Sequence, residues 1–348
     1  MKLPLLLGLT MALAAAEKPI PVKVVVVSMF ERGADTGDQP GEFQFWVERE
    51  KLDKQLPFPA GWRNLRMNKD GVLGLCTGIG TARAAASVMA LGLDPRFDLR
   101  KAYWLVAGIA GIDPADGSLG SAAWAEWVVD GDLGHEIDAR EIPAEWKTGM
   151  IPLRKSKPYE MPRRLPDEGE VYQLNPALTE WAFQLTKDLR LDDSEAMKQV
   201  RSRFAAGPAH RPPFVLKGDT MSSGTFWHGQ KLNEWANDWV KYHTDGKGNY
   251  VTTAMEDTGT LQSLTWLAAA GKVPFIAESE RCRRLYQLFV DADYPRAFAA
   301  SGNGRCGYAW GGEDPRKRAI DFCRAKTEEV CKLYAIDDEI TWRNEATN

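Results

Sequence analysis

The sequence predicts a layered α/β domain, and three observations carry that expectation. Residues 22–27 form a near-continuous β-branched run, the mark of a strand buried on both faces. Strand-sized apolar segments alternate with helical stretches over the first two-thirds of the chain. The strands end in glycine-bearing loops, which places a ligand site at the strand C-termini.

The first strand ends at Ser28-Met29-Phe30. Residues 71–76 read as a second strand entering Thr77-Gly78-Ile79-Gly80-Thr81, and 82–91 as an Ala-rich helix stopped by Gly92. A third buried segment, 103–106, runs into Ala107-Gly108-Ile109-Ala110-Gly111, and 124–129 is a fourth. Residues 142–172 are rich in Pro, Lys and Glu and read as a long surface excursion. Helical patterns return over 175–189 and 231–243. Residues 250–255 form another strand, followed by a helix on which Leu261, Leu264 and Leu267 recur and which Gly271 closes. Beyond about Pro274 no clear period remains.

A chain of 348 residues with 44% hydrophobic content suits one large domain. A formal charge of -4 supplies no basic footprint for nucleic acid, so a neutral or weakly charged small ligand fits better. Lys2, the apolar run 3–13 and Ala14-Ala15-Ala16 have the pattern of a signal peptide over 1–16, implying export to a periplasmic or extracellular space. No later apolar run approaches the ~20 residues of a bilayer span. The five cysteines contain no CxxC pair and have no His at metal-ligand spacing, so neither a metal nor a cofactor is expected; bridges among Cys282, Cys306, Cys323 and Cys331 are permitted without an assigned pairing.

Several residues could carry chemistry. Gly78 and Gly80, between a strand and a helix, let a ligand approach free N–H groups, but Arg83 occupies the third position of the dinucleotide fingerprint. Glu256, at the C-terminal edge of a strand, could accept two hydrogen bonds from a vicinal diol, while Asp257 and Thr258 suit helix caps. Asp219, ahead of Phe226-Trp227-His228, falls in a mixture of acid, hydroxyls and aromatic rings suited to a planar base. The run 130–138, containing His135 and Asp138, reads first as a hydrogen-bonded structural loop and second as acid–base or ribose contacts.

Taken together, Thr77-Gly78-Ile79-Gly80-Thr81, residues 106–114, Gly120-Ser121, residues 135–141, Gly218-Asp219-Thr220, Trp227-His228-Gly229 and Met255-Glu256-Asp257 resemble the purine nucleoside permease family over about 24–273. The resemblance implies a three-layer α/β/α sandwich around a mixed sheet, of nucleoside phosphorylase-like fold, with purine nucleosides as ligands and a homo-oligomer as a possible assembly. By it, Met255 and Glu256 hold the ribose and the Gly108 loop lies beside the reacting centre. The expected substrate-binding set is Ser28, Phe30, Gly78, Gly80, Gly108, Ile109, Ala110, His135, Asp138, Trp227, Met255, Glu256 and Asp257, with Asp219 or Glu31 as the acid–base residue.

Two departures qualify the resemblance. Val106 and Ile109 stand where phosphorylases place phosphate-binding residues, which favours water as nucleophile and hydrolysis over phosphorolysis; a nucleoside-binding protein for uptake is the alternative. After Val273 the family's base-recognising loop is replaced by an Arg- and Cys-bearing tail, so residue roles there do not transfer.

Overall fold

The computed structural model describes residues 18–161, 170–269, 272–273, 282, 285, 288–289, 292–301, 305–328, 330–337 and 339–340; the expected leader and Gly271 lie outside them. The β-branched run becomes strand β1 (Val24–Ser28). It lies inside a five-stranded sheet ordered β2 (Lys54–Leu56), β3 (Leu65–Met67), β4 (Val72–Cys76), β1, β5 (Tyr103–Val106), and is parallel to both β4 and β5. A second five-stranded sheet runs β8 (Val171–Gln173), β7 (Trp127–Asp130), β9 (Asp219–Ser222), β10 (Tyr250–Ala254), β6 (Gly111–Ile112). Its three inner strands are parallel and its edges antiparallel. The expected mixed sheet is thus built as two halves, and the 107–110 loop from β5 to β6 joins them.

Helices cover both faces. Val25, Val27, Leu73 and Leu75 pack against Val88 and Leu91 of α2 (Thr81–Gly92) and Leu264 and Leu267 of α6 (Asp257–Ala269). On the opposite face α1 (Phe43–Arg49) sets Phe43 and Val47 against Cys76. Each such buried side chain contributes about 1.5–3 kcal/mol. Along the chain α3 (Pro176–Thr186) and α4 (Glu195–Arg201) lie between β8 and β9. In the second half α5 (Gln230–His243) buries Trp235, Trp239 and Val240 on Val129, Met221 and Tyr250.

Helices α2 and α6 approach closely because glycines meet side chains across them. A Cβ on Gly92 would collide with Leu267, and one on Gly259 with the Thr81 carbonyl oxygen. Ser263 Oγ also donates to the Ala85 carbonyl at 3.1 Å. This brings the N-termini of both helices to the same strand ends.

Two expectations need correction. The segment 124–129 is broken: Ala122–Trp124 pairs with Val215–Lys217, and β7 starts only at Trp127. The tail, where the sequence shows no clear period, forms regular structure. Strands β11 (Arg296–Ser301), β12 (Cys306–Trp310), β13 (Cys331–Ile336) and β14 (Glu339–Ile340) form an antiparallel sheet carrying α7 (Pro315–Arg324). Disulfides Cys282–Cys306 and Cys323–Cys331 staple it. Every residue of β11 is buried, so no alternation of apolar and polar residues marked it in the sequence. Among the described residues no helix is long and apolar enough to cross a membrane.

Candidate functional site

The C-terminal ends of β1, β4, β5 and β10 converge on one crevice, and each contributes a loop. After β4, Gly78 and Gly80 adopt φ of 82° and 104°, conformations that glycine accepts without strain. A Cβ on Gly78 would stand 2.9 Å from the Trp62 ring, over which the Arg83 guanidinium also lies at 4.3 Å. After β10, Met255 and Glu256 lead into α6.

Glu256 is buried, and its Oε1 accepts the Gly80 N–H at 3.0 Å. Thr81 Oγ1 donates to the Met255 carbonyl at 2.6 Å, so the two loops are laced together. Ser222 Oγ, at the end of β9, accepts the Thr258 N–H at 3.2 Å, a capping contact that sequence reading had given to Asp257 and Thr258 themselves. Burial pushes the Glu256 carboxyl above the ordinary glutamate range, against the Gly80 N–H, and the Glu42 carboxylate pushes the same way. Asp257 is pushed up to about 7 by burial and by the Glu256 and Glu42 carboxylates.

Glu42, absent from the sequence-derived set, completes the crevice. It immediately precedes α1, and its Oε2 accepts the N–H groups of Met29 at 2.8 Å and Phe30 at 3.0 Å. Its Oε1 accepts the Ile109 N–H at 2.8 Å, reaching the loop after β5. A Cβ on Gly108 would come within 3.4 Å of that oxygen, so a bulkier residue would crowd the carboxylate. Ile109 is 73% exposed and Ala110 is exposed, which leaves the crevice open beside Glu42. Phe30 is half-buried, and Ser28 ends β1 with a buried hydroxyl that has no partner among the described residues.

Other expected residues go elsewhere. Asp219 sits at the N-terminal end of β9, paired with Tyr250, whereas Ser222 pairs with Ala254 near the crevice. Three residues of strand span about 10 Å, so its carboxylate is at the wrong edge. Its Oδ1 accepts the Trp127 N–H at 2.8 Å and its Oδ2 the Asn249 N–H at 2.5 Å, closing the start of three strands. Burial pushes it up to about 6 against those two contacts.

Glu31 is equally committed: its carboxylate accepts the N–H groups of Gly41 at 2.6 Å, Arg32 at 2.8 Å and Gln44 at 2.5 Å, which caps α1. Trp227 is half-buried, edge-on to Trp235 at 6.0 Å; the ring that meets solvent is its neighbour Phe226, 78% exposed. His135 and Asp138 are exposed, on or just beyond a two-stranded ribbon, Gly134–Glu136 with Met150–Pro152, and Asp138 is paired with Arg140. No described hydrogen bond links either residue to Glu42 or Glu256. Asp130 binds the N–H groups of Asp132 and Leu133, so this segment is the structural loop that its first reading proposed. Among the described residues no group of His, Cys, Asp or Glu could hold a metal ion.

Glu42 escaped the sequence because its partners lie 13, 12 and 67 residues away, and a carboxylate before a helix reads as a cap. The one signal was Pro40-Gly41-Glu42 ahead of an aromatic-rich helix start.

Comparison with known proteins agrees with the motif pattern. The model of the purine nucleoside permease family matches residues 21–277. A probable purine nucleoside permease of Schizosaccharomyces pombe is 34% identical over 206 residues, 57% of this chain and 59% of that protein. The purine nucleoside permease of Candida albicans is 31% identical over 205 residues, 58% of this chain and 50% of its own length. The chain therefore spans half to three-fifths of these curated relatives. Among solved structures, a futalosine hydrolase of Helicobacter pylori aligns with TM-score 0.42 at 13% identity, covering 73% of this chain and 84% of that one. A 5'-methylthioadenosine/S-adenosylhomocysteine nucleosidase of Neisseria meningitidis aligns with TM-score 0.39 at 14% identity, over 69% of this chain and 78% of its own. With the matched segment running from before β1 to beyond α6, this chain belongs to the purine nucleoside permease family.

Proposed function

We propose that the crevice binds a purine nucleoside and cleaves its N-glycosidic bond with water. The observation that carries this reading is a pair of carboxylates, each holding an N–H of a different glycine-bearing loop: Glu42 on the Ile109 N–H and Glu256 on the Gly80 N–H. Glu256 accepts hydrogen bonds from the ribose diol. Glu42 takes a proton from the attacking water as its oxygen bonds to C1'. The C1'–N bond breaks with its electron pair going to the base, and Asp257, pushed to about 7, carries the proton that the departing base receives. The carboxylates of Glu42 and Glu256 repel a phosphate dianion, which favours water over phosphate as the nucleophile.

A second reading, binding without cleavage in the service of uptake, is favoured by one observation. Every carboxylate considered as the acid–base partner of water, Asp219, Glu31 and Glu42, already accepts two or three backbone N–H groups. No base-recognising residue can be carried over after Val273, and residues 274–281 lie outside the described ones. Export is part of the same proposal, because two disulfides suit an oxidising compartment.

The test is incubation of the purified chain with inosine, guanosine, adenosine and uridine, with and without phosphate, followed by chromatography. Free purine and ribose without phosphate, lost in Glu42→Gln, supports hydrolysis. Product only with phosphate overturns it. Protection against heat by a nucleoside that is not cleaved moves the binding reading ahead.

A further inference from the structure

The segment from Met29 to Glu42 leaves β1 and returns to start α1. Its anchoring is more extensive than an exposed loop requires. Asp35 is buried, and its two oxygens each take one guanidinium: Oδ1 accepts from Arg63 Nη1 at 2.9 Å and Oδ2 from Arg66 Nε at 2.9 Å. Arg63 donates further to the carbonyls of Gly33 at 3.0 Å and Glu31 at 3.2 Å. The segment is thereby pinned to β3 and the residues just before it.

Inside the segment, Glu31 closes the ring by capping Gly41 and Gln44, while the Glu42 N–H donates to the Phe30 carbonyl at 2.9 Å. Gly41 is required there, because a Cβ would lie 2.9 Å from Glu31 Cα. The consequence falls on Glu42, whose carboxylate meets Met29 and Phe30 at one end of the ring and Ile109 across the crevice.

We infer that the Asp35–Arg63–Arg66 clamp, acting through the Glu31 cap, is a positioning device that fixes the Glu42 carboxylate against the Ile109 N–H. Glu31 and Asp35 are positioning residues, not acid–base residues. A displacement of about 1 Å at such a group costs of the order of a hundredfold in rate. Part of the inference, the effect on turnover, rests on the hydrolytic reading; the placement of Glu42 does not.

Amide hydrogen exchange on the full chain reads the placement without turnover. In Asp35→Asn the amides of Met29, Phe30 and Ile109 should exchange at least tenfold faster, while those of Val25, Val26 and Val27 in β1 keep wild-type protection. Glu31→Gln should do the same, and Asp38→Asn, at the exposed tip of the segment, should do so less. Unchanged exchange at Met29, Phe30 and Ile109 overturns the inference. Loss of protection through β1 as well also overturns it, since the clamp would then support the fold and not the carboxylate. With inosine as substrate, Asp35→Asn should lower kcat at least tenfold with KM within about twofold and move the acid limb of the kcat pH profile. A wild type that cleaves nothing removes the hydrolytic reading and leaves the exchange result to decide the placement.

Discussion

Glu256 and Gly80, 176 residues apart in sequence, are joined by a single hydrogen bond of 3.0 Å from a backbone N–H to a buried carboxylate. The bond links the start of α2 to the start of α6. Because burial raises this carboxyl above the ordinary glutamate range, protonation begins at a higher pH than for a free side chain. Nucleoside affinity should be full where Glu256 is ionised and fall as pH drops through its raised pKa. Calorimetric titration of inosine from pH 8 down to pH 4 checks this. Glu256→Ala should weaken binding by about 1.5–3 kcal/mol, the value of hydrogen bonds to a charged group, and should remove that pH dependence.

Helix contact controls the same geometry from a distance. Gly92 faces Leu267 with no room for a Cβ, so Gly92→Ala overpacks the α2–α6 interface. The expected cost is about 1–3 kcal/mol even though alanine is the better helix former. Urea unfolding at constant m-value measures it. Gly80→Ala meets no atom within 4 Å and should differ in kind: its strain comes from a φ of 104°, and it should disturb the Gly80–Glu256 bond more than global stability.

Much of this arrangement was legible in the sequence, and the remainder was hidden for physical reasons. The valine run, the Gly78 and Gly80 turn and Glu256 at a strand end each combine a local signal with a local structure. Asp219 lies at the other edge, and a strand pattern does not reveal which end of the strand faces Glu256. Glu31 misled because its three N–H partners are supplied by a turn that only folding creates. Glu42 is the reverse case, an ordinary pre-helix carboxylate in sequence that becomes central when the 107–110 loop reaches it.

Asp257 gives a stability signature. Its folded-state pKa of about 7 lies above that of an unfolded aspartate, so between about pH 4 and pH 7 the folded chain holds a proton that the unfolded chain has released. This contribution is fully present below pH 4 and is lost as pH rises through 7, at most about 1.4 kcal/mol per pH unit. Asp257→Asn should flatten the fall and raise Tm relative to wild type at pH 8. Asp219 and Glu256 are shifted in the same direction, so the slope should shrink without vanishing. A Tm difference between variant and wild type that is equal at pH 5 and pH 8 would remove Asp257 as the origin.

The tail should respond to reductant separately from the crevice that holds Glu42 and Glu256. Its apolar clusters, Phe289, Phe298 and Cys306 on one sheet face and Ala299, Ala319 and Cys323 on the other, contain only tail residues. The two bridges span 24 and 8 residues, and loop closure of those lengths restrains the unfolded chain by about 3.5 and 2.5 kcal/mol. A sheet this small has little other reserve. Dithiothreitol, or the double change Cys323→Ser and Cys331→Ser, should therefore expose 292–340 to limited proteolysis while the fragment carrying β1 to α6 stays intact. The crevice residues Glu42 and Glu256 belong to that fragment, so inosine should protect it against heat equally before and after reduction. If reduction abolished that protection, the tail would have to support the crevice directly.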